Sequence, residues 1–154
     1  MLTNSDSIIA DTSCFILLSK INEIGLLRLP GRNVLTTPIV TQEFKKSLPE
    51  WIEIINPPED KIQIIIRMNL DRGEASAMAL AMNIKRSILI IDDLKARKVA
   101  DKLNLRYSGS LGLILRAKQE GILPAVKPVI EKIDTTDFRI DKRLLQSVLI
   151  QAGE

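Results

Sequence analysis

The sequence predicts an α/β domain in which helices cover both faces of a short central parallel sheet, a three-layer α/β/α arrangement. Two observations support this fold class. Short apolar runs of strand length alternate with longer segments of helical periodicity along the chain. Several of these runs also stop at residues that commonly begin helices, as strands do when a helix follows. With 154 residues, the chain is expected to form one domain, residues 1–154, with a sizeable core.

The first half of the chain is predicted to contain three strands, each followed by a helix. The apolar run Ile8–Ala10 ends at Asp11, and helix-starting residues come next. Thr37 and Pro38 form an N-cap with proline at the first helical position. The segment Asn56–Pro58 ends an alternating run. The predicted elements are strands at Ile8–Ala10, Val34–Leu35 and Trp51–Ile55, and helices at Cys14–Ile21, Pro38 to about Lys46, and Glu59–Met68.

In the second half, glycine and aspartate mark the predicted boundaries. Asp71–Gly73 is interpreted as a turn, Gly121 as the end of a helix and Asp141 as the cap of the last helix. The strand Ser87–Ile91 ends at two adjacent aspartates. A further strand is predicted at Leu105–Tyr107. The remaining predicted helices are Glu74–Met82, Leu94–Leu103, Leu111–Glu120, a helix that Pro124 and Pro128 bracket and that reaches about Lys132, and Asp141–Ala152.

Missing residue types narrow the possible chemistry. The chain has no histidine, which excludes serine–histidine–aspartate triads and histidine-based zinc sites. Its single cysteine, Cys14, excludes disulfides and cysteine-clustered zinc, and its apolar setting indicates a buried position. If the protein is an enzyme, carboxylates must therefore carry the reaction.

The predicted topology brings five carboxylates towards one edge of the sheet, because the carboxyl ends of parallel strands meet there. Clustered acids repel one another unless a cation offsets their charge, and oxygen ligands suit Mg²⁺ or Mn²⁺. One or two such ions could activate water and neutralise a phosphodiester. Each acid also has an ordinary explanation as a helix cap or a solvated charge, although one cap does not explain two adjacent aspartates. The five acids are Asp11, Glu43, Glu74, Asp92 and Asp93.

A basic helix face begins beside the two aspartates. Lys95, Arg97 and Lys98 are predicted to point outward, where they could steer a phosphate backbone or simply form a solvated surface. The net charge of +3 permits an acidic partner without establishing one. The few aromatic residues are scattered, which argues against a base-stacking platform of the RNA-recognition type.

The order of these motifs resembles that of PIN-like domains, and more narrowly the short prokaryotic branch of the DUF3368 type. The resemblance covers nearly the whole chain, and the combination of motifs is specific although each alone is weak. The matching segments are Asp11–Ser13, Glu43, Gly73–Ala75, Ile91–Asp93 followed by Arg97, Gly109–Gly112, Ala117–Lys118 and Gly121.

This resemblance implies a metal-dependent ribonuclease fold that often serves as the toxin of a toxin–antitoxin pair. Four residues match the family's acidic quartet and would hold metal, with Asp93 as an alternate or additional ligand. Ser13 or Ser110 would support the site by hydrogen bonding. Typical toxins of the wider family end the fourth strand with a Thr-x-Asp pattern, and this chain has two aspartates instead. The quartet comprises Asp11, Glu43, Glu74 and Asp92.

The function expected from these observations is a Mg²⁺- or Mn²⁺-dependent endoribonuclease, with RNA as substrate, a small antitoxin protein as partner and a homodimeric state. The start of the chain lacks the pattern of a signal peptide, and no apolar run reaches membrane-spanning length, so a cytoplasmic protein is expected. The alternative is a non-catalytic module that binds nucleic acid or protein, with the acids as caps or a vestigial site. The helix Asp141–Ala152 could then be a partner surface, although covering the sheet is its simpler role.

Overall fold

A computed structural model describes residues 6–154. It contains five strands, eight α-helices and a 3₁₀ helix at Ile24–Leu27. The strands are β1 (Ser7–Ala10), β2 (Val34–Thr36), β3 (Ile52–Ile54), β4 (Ser87–Ile90) and β5 (Tyr107–Ser108). The helices are α1 (Thr12–Lys20), α2 (Pro38–Phe44), α3 (Glu59–Ile66), α4 (Arg72–Asn83), α5 (Leu94–Lys102), α6 (Ser110–Gln119), α7 (Lys127–Asp134) and α8 (Lys142–Gln151).

All five strands are parallel, in the order β3-β2-β1-β4-β5. The chain moves outward from the central β1 through β2 to β3, and then crosses back to β4 on the other side of β1. Ala10 at the end of β1 pairs in register with Ile90 at the end of β4. The strand order therefore reverses between β1 and β4, and ligands of open α/β sheets bind beyond the carboxyl ends of the strands at such a point.

Two separate apolar cores lie on the two faces of the sheet, which confirms the predicted three-layer α/β fold. Neighbouring residues of β1 alternate between them, because successive strand side chains point to opposite faces. Ile8 and Ala10 pack with α1, α6, α7 and α8, whereas Ile9 packs with α3, α4 and α5. The single cysteine, Cys14, is buried in the first core, as its apolar context predicts.

Three predicted elements differ from the structure. Asp71–Gly73 is not a separate turn, because helix α4 begins at Arg72 and Asp71 is its N-cap. The last strand lies two residues later than predicted, since the Leu105 amide donates to the Ala100 carbonyl and still belongs to the end of α5. Helix α7 spans Lys127–Asp134 with Pro128 in its first turn, the position that proline favours, whereas the predicted helix was bracketed by Pro124 and Pro128 and reached about Lys132.

No helix within residues 6–154 is long and apolar enough to cross a membrane.

Candidate functional site

Asp11 and Asp92 stand beyond the ends of the two central strands, where the strand order reverses. Asp11 is the N-cap of α1, and its Oδ1 accepts a hydrogen bond from the Cys14 amide at 2.9 Å. Both oxygens of Asp92 accept hydrogen bonds from Ser110, Oδ1 from the amide at 2.9 Å and Oδ2 from the hydroxyl at 2.5 Å. These contacts hold both carboxylates in defined orientations.

The two adjacent aspartates have different surroundings. Asp93 is exposed and caps α5, with its Oδ2 accepting from the Ala96 amide at 2.9 Å. Asp92 is half-buried, and its charge acts on Asp11. Of the two, Asp92 is therefore the one that shares an environment with Asp11.

Glu43 approaches this edge from α2. Its Oε1 accepts a hydrogen bond from the Thr12 hydroxyl at 2.9 Å. Gly73, in the first turn of α4, lies directly against the Glu43 carboxylate, and a Cβ at this position would collide with it. The glycine is therefore explained by the approach of Glu43 rather than by a turn.

The sequence interpretation missed Asp71. Its Oδ1 accepts from the Glu74 amide at 2.8 Å, which caps α4. The charge of Asp71 raises the pKa of both Asp11 and Glu74, so Asp71 belongs to the same acidic group. An aspartate three residues before Glu74 at the start of a helix is an N-cap signal that could have identified it.

Two of these carboxyl groups are shifted towards neutral pH. Burial, reinforced by the charges of Asp92 and Asp71, raises the pKa of Asp11 from 3.8 to about 7, although the Cys14 amide opposes the shift. Partial burial and the neighbouring charge of Asp71 raise the pKa of Glu74 from 4.5 to about 7, with a smaller effect from Asp93. Both pKa shifts therefore arise first from burial of the carboxyl group and second from the negative charges beside it.

Buried hydroxyl groups fix the elements that carry the acids. The Thr36 hydroxyl donates to the Ala10 carbonyl at 3.0 Å and ties the end of β2 to the end of β1. The hydroxyls of Thr37 and Ser76 share a hydrogen bond of 2.7 Å, and Ser76 also donates to the Gly73 carbonyl at 2.8 Å. These contacts lock the starts of α2 and α4 together, because unpaired buried polar groups would be costly.

Among residues 6–154, no three acidic or cysteine side chains are arranged closely enough to hold one ion directly. The donor set still fits Mg²⁺ or Mn²⁺. Mg²⁺ commonly keeps several waters and binds through only one or two carboxylates. Asp11 and Asp92 follow the two strands between which the order reverses, so they are the two carboxylates that could hold such an ion. The charges of Asp92 and Asp71 act on Asp11, and Glu43 accepts from the neighbouring Thr12.

The supporting and basic residues predicted from the sequence have mixed positions. Ser110 binds Asp92, but Ser13 is exposed and lines a shallow groove with Lys20 and Phe138. Lys95 and Lys98 are exposed on α5, where a phosphate backbone could reach them. The hydroxyl that reaches an acid from the start of α1 belongs to Thr12 and not to Ser13.

Arg97 folds back onto the site instead of extending into solvent. Its Nε donates to the Ile91 carbonyl at 3.0 Å, and its guanidinium lies 5.4 Å from the centre of the Tyr107 ring. Its Nη2 is 3.9 Å from Asp92 Oδ1. Both the guanidinium and the Asp92 carboxylate lie against Gly109, where a Cβ would collide with Arg97 and stand 2.8 Å from Asp92 Oδ1.

A comparison with protein-family models matches residues 7–154 to DUF3368, a family described as a PIN domain. The match spans the sheet, its covering helices and the acidic edge. A search of curated proteins finds no match.

Proposed function

Because the chain belongs to the DUF3368 family of PIN domains, which are generally nucleases, we propose that it is a metal-dependent endoribonuclease. Its reaction would be the hydrolysis of RNA phosphodiester bonds with Mg²⁺ or Mn²⁺ held by carboxylates. The observation that carries this proposal is the position of Asp11 and Asp92 at the strand-order reversal, where the charge of Asp92 acts on Asp11.

The raised pKa values of Asp11 and Glu74 support a cation site. A divalent cation would lower both values by stabilising the ionised carboxylates. The proposal thus accounts for a cluster of acids that would otherwise cost the folded protein stability.

In this proposal, the chain's own residues have separate roles. Asp11 and Asp92 hold the ion, and Ser110 orients Asp92. Glu43 and Glu74 complete the acidic quartet; Asp93 acts chiefly as a cap. A bound Mg²⁺ or Mn²⁺ would supply charge neutralisation at the phosphate and an activated water. No histidine is needed as a general base, which suits this composition.

The basic residues have two roles in the proposal. Lys95 and Lys98 contact the RNA backbone from the exposed face of α5. Arg97 helps to hold Asp92 in place, because it donates to the Ile91 carbonyl just beyond β4 and lies beside the Asp92 carboxylate. The exposed part of the Arg97 guanidinium is available to a phosphate.

The biological role that we propose is the toxin of a toxin–antitoxin pair in the cytoplasm, as a homodimer neutralised by a small antitoxin protein. The family membership and the net charge of +3 support this role. Induced expression should arrest bacterial growth, and Asp11→Asn should remove the arrest. Growth arrest by the variant to the same extent would contradict the role.

The alternative is a non-catalytic module that binds nucleic acid or protein. One observation favours it: within the described part of the chain, the acids serve as helix caps and hydrogen-bond acceptors without an assembled three-carboxylate site. The two functions differ in whether binding leads to metal-dependent cleavage.

The deciding experiment incubates structured RNAs with the protein and Mn²⁺, and compares the wild type with Asp11→Asn, Asp92→Asn and the double variant. We expect cleavage by the wild type only, and its loss in EDTA. Glu131→Gln, which removes an exposed acid from α7, is the matched control and should cleave normally. Wild-type cleavage no greater than that of the double variant, together with retained RNA binding, would support the module instead.

A further inference from the structure

A cavity of about 520 Å³ opens beside the acidic edge. Its lining includes Asp92 and Gly109 from that edge, and Val148 and Gln151 of α8. The volume falls within the range of about 300–1,000 Å³ that is typical of small-molecule sites. Because the cavity reaches Asp92, a group inside it would lie next to a phosphate bound at the acids.

The walls of the cavity are apolar and include one aromatic ring. Leu111 and Leu115 of α6 line the cavity together with Phe138, Ile140 and Leu144. The side chains of Phe138 and Ile140 are only partly buried by the protein. A flat group inside the cavity could therefore contact both aliphatic side chains and an aromatic ring.

Two arginines and two aspartates line the cavity, so its formal charges balance. Arg97 lies beside Asp92, whereas Arg139 is exposed and is a cation that a phosphate could contact. Both carboxylates are held by hydrogen bonds that orient them and leave their negative charge in place. Asp92 is bound by Ser110, and Asp141 accepts from the amides of Arg143 and Leu144 as the cap of α8.

We propose that this cavity binds one unpaired nucleobase of the RNA, adjacent to the phosphate held at the acidic edge. The proposal rests on the ribonuclease function proposed above. A base within a duplex is stacked and paired, and it cannot enter without being extruded. The apolar walls and Phe138 hold the base, and Arg139 meets the flanking phosphate.

The first test uses a short unstructured oligoribonucleotide and a set in which one residue at a time lacks its base. Removal of the base next to the cleaved bond should lower kcat/KM about tenfold, the scale of losing one base–aromatic stack, and removal elsewhere should have little effect. Equal cleavage of the whole set would overturn the proposal and leave the ribonuclease function standing.

Binding of the same oligonucleotides in EDTA, followed by fluorescence anisotropy, gives a readout that does not depend on cleavage. The intact strand should bind about tenfold more tightly than one member of the set, the strand that lacks the base held in the cavity, and about as tightly as the other members. If no RNA is cleaved, the ribonuclease function fails, and this binding difference still decides whether the cavity takes a base. Equal affinities would overturn the proposal.

The second test uses two glutamate substitutions on the same helix. Leu144 is 48% exposed and lines the cavity, whereas Ile150 is 77% exposed and lies outside its lining. Leu144→Glu should weaken RNA binding about tenfold or more through charge and lost apolar contact, and Ile150→Glu should change it less than about twofold. Phe138→Ala should reproduce the loss and remove the difference between intact and base-lacking strands.

The competing occupant is a second copy of the chain. Sedimentation of the Leu144→Glu and Ile150→Glu proteins separates the two possibilities. Unchanged self-association with weakened RNA binding supports the nucleobase site. Lost self-association in Leu144→Glu, with RNA binding unchanged, would assign the cavity to a dimer interface and overturn the proposal.

Discussion

Replacement of Asp11 by asparagine should stabilise the metal-free protein at alkaline pH, although it removes a carboxylate from the site. The variant keeps the cap of α1, since an asparagine oxygen can accept from the Cys14 amide as aspartate does. What it removes is a negative charge in a site that is only 4% exposed. Stability and activity should therefore change in opposite directions.

The magnitude follows from the raised pKa of Asp11. Its value of about 7 in the folded protein exceeds the ordinary 3.8, so the folded state binds this proton more tightly than the unfolded chain does. The stabilisation from that proton is complete below pH 3.8 and is lost as the pH rises through 7. The difference between the folded and ordinary pKa values of Asp11 corresponds to a contribution of at most about 4 kcal/mol to the free energy of unfolding.

The assay is urea or thermal unfolding in EDTA between pH 4 and pH 8. Asp11→Asn should match the wild type near pH 4 and exceed its free energy of unfolding by about 2–4 kcal/mol at pH 8. At about 2–4 °C per kcal/mol, the melting temperature should differ by several degrees. For Glu131→Gln, which removes an exposed acid, the difference in free energy of unfolding from the wild type should not grow with pH.

Addition of Mn²⁺ at pH 8 should make the wild type more stable than Asp11→Asn. The ion binds the folded wild type and stabilises it by mass action, whereas the variant lacks one ligand. If Asp11→Asn is no more stable than the wild type at pH 8 in EDTA, the account of Asp11 as a buried, repelled carboxyl group is wrong. If Mn²⁺ raises both melting temperatures equally, Asp11 does not hold the ion.

Three further results are expected. Gly73→Ala should leave the free energy of unfolding unchanged or raise it by up to about 1 kcal/mol, since alanine favours helix. The added methyl group should also displace the Glu43 carboxylate and reduce RNA cleavage about tenfold, and unchanged cleavage would contradict the importance of this contact. Ser110→Ala should lower Mn²⁺ affinity about tenfold in a calorimetric titration by freeing Asp92, and Ser13→Ala should not. Glu154→Gln should destabilise the protein at pH 7, because Lys118 and the amides of Val126 and Lys127 lower the pKa of Glu154 to about 2. That loss should shrink as the pH falls from 4.5 towards 2, and a pH-independent loss would exclude the charge as its cause.

The strands and most helix starts could be predicted because their signals are local. An apolar run that ends at Asp11, or a threonine before Pro38, specifies its own boundary through capping and backbone geometry. The parallel sheet then follows from the alternation of strands and helices, and the convergence of the acids follows from the sheet. This part of the site required no knowledge of distant contacts.

The missed features depend on contacts between distant parts of the chain. The sequence indicated that Gly73 lies in a turn, but the position requires glycine because the Glu43 carboxylate of another helix packs directly against it. Arg97 looked like an exposed cation, but Tyr107 and the Ile91 carbonyl draw it back over the site. Asp71 was overlooked because it was assigned to that turn. A single sequence does not reveal which distant side chain a glycine or an arginine will meet.

For Asp11 and the Asp92–Asp93 pair, the sequence offered a helix cap and a metal ligand as alternative explanations, and in the structure the two are compatible. In a βα unit, the helix begins where the strand ends, so its cap lies at the ligand-binding edge. The starts of α1, α4 and α5 carry Asp11, Asp71 and Asp93 as caps, and the first amide of α6 binds Asp92. The positive ends of these helix dipoles offset part of the repulsion among the acids.

Helix amides and a divalent cation would act in the same direction at the acidic edge, since both favour the ionised carboxylates. Helix amides stabilise the ionised carboxylates, yet the pKa of Asp11 and of Glu74 remains raised to about 7. For Asp11, burial outweighs the Cys14 amide that holds it. The residual charge is what a divalent ion would neutralise. A phosphate, being anionic, would meet repulsion at the bare edge, so a bound metal ion should strengthen the binding of RNA there.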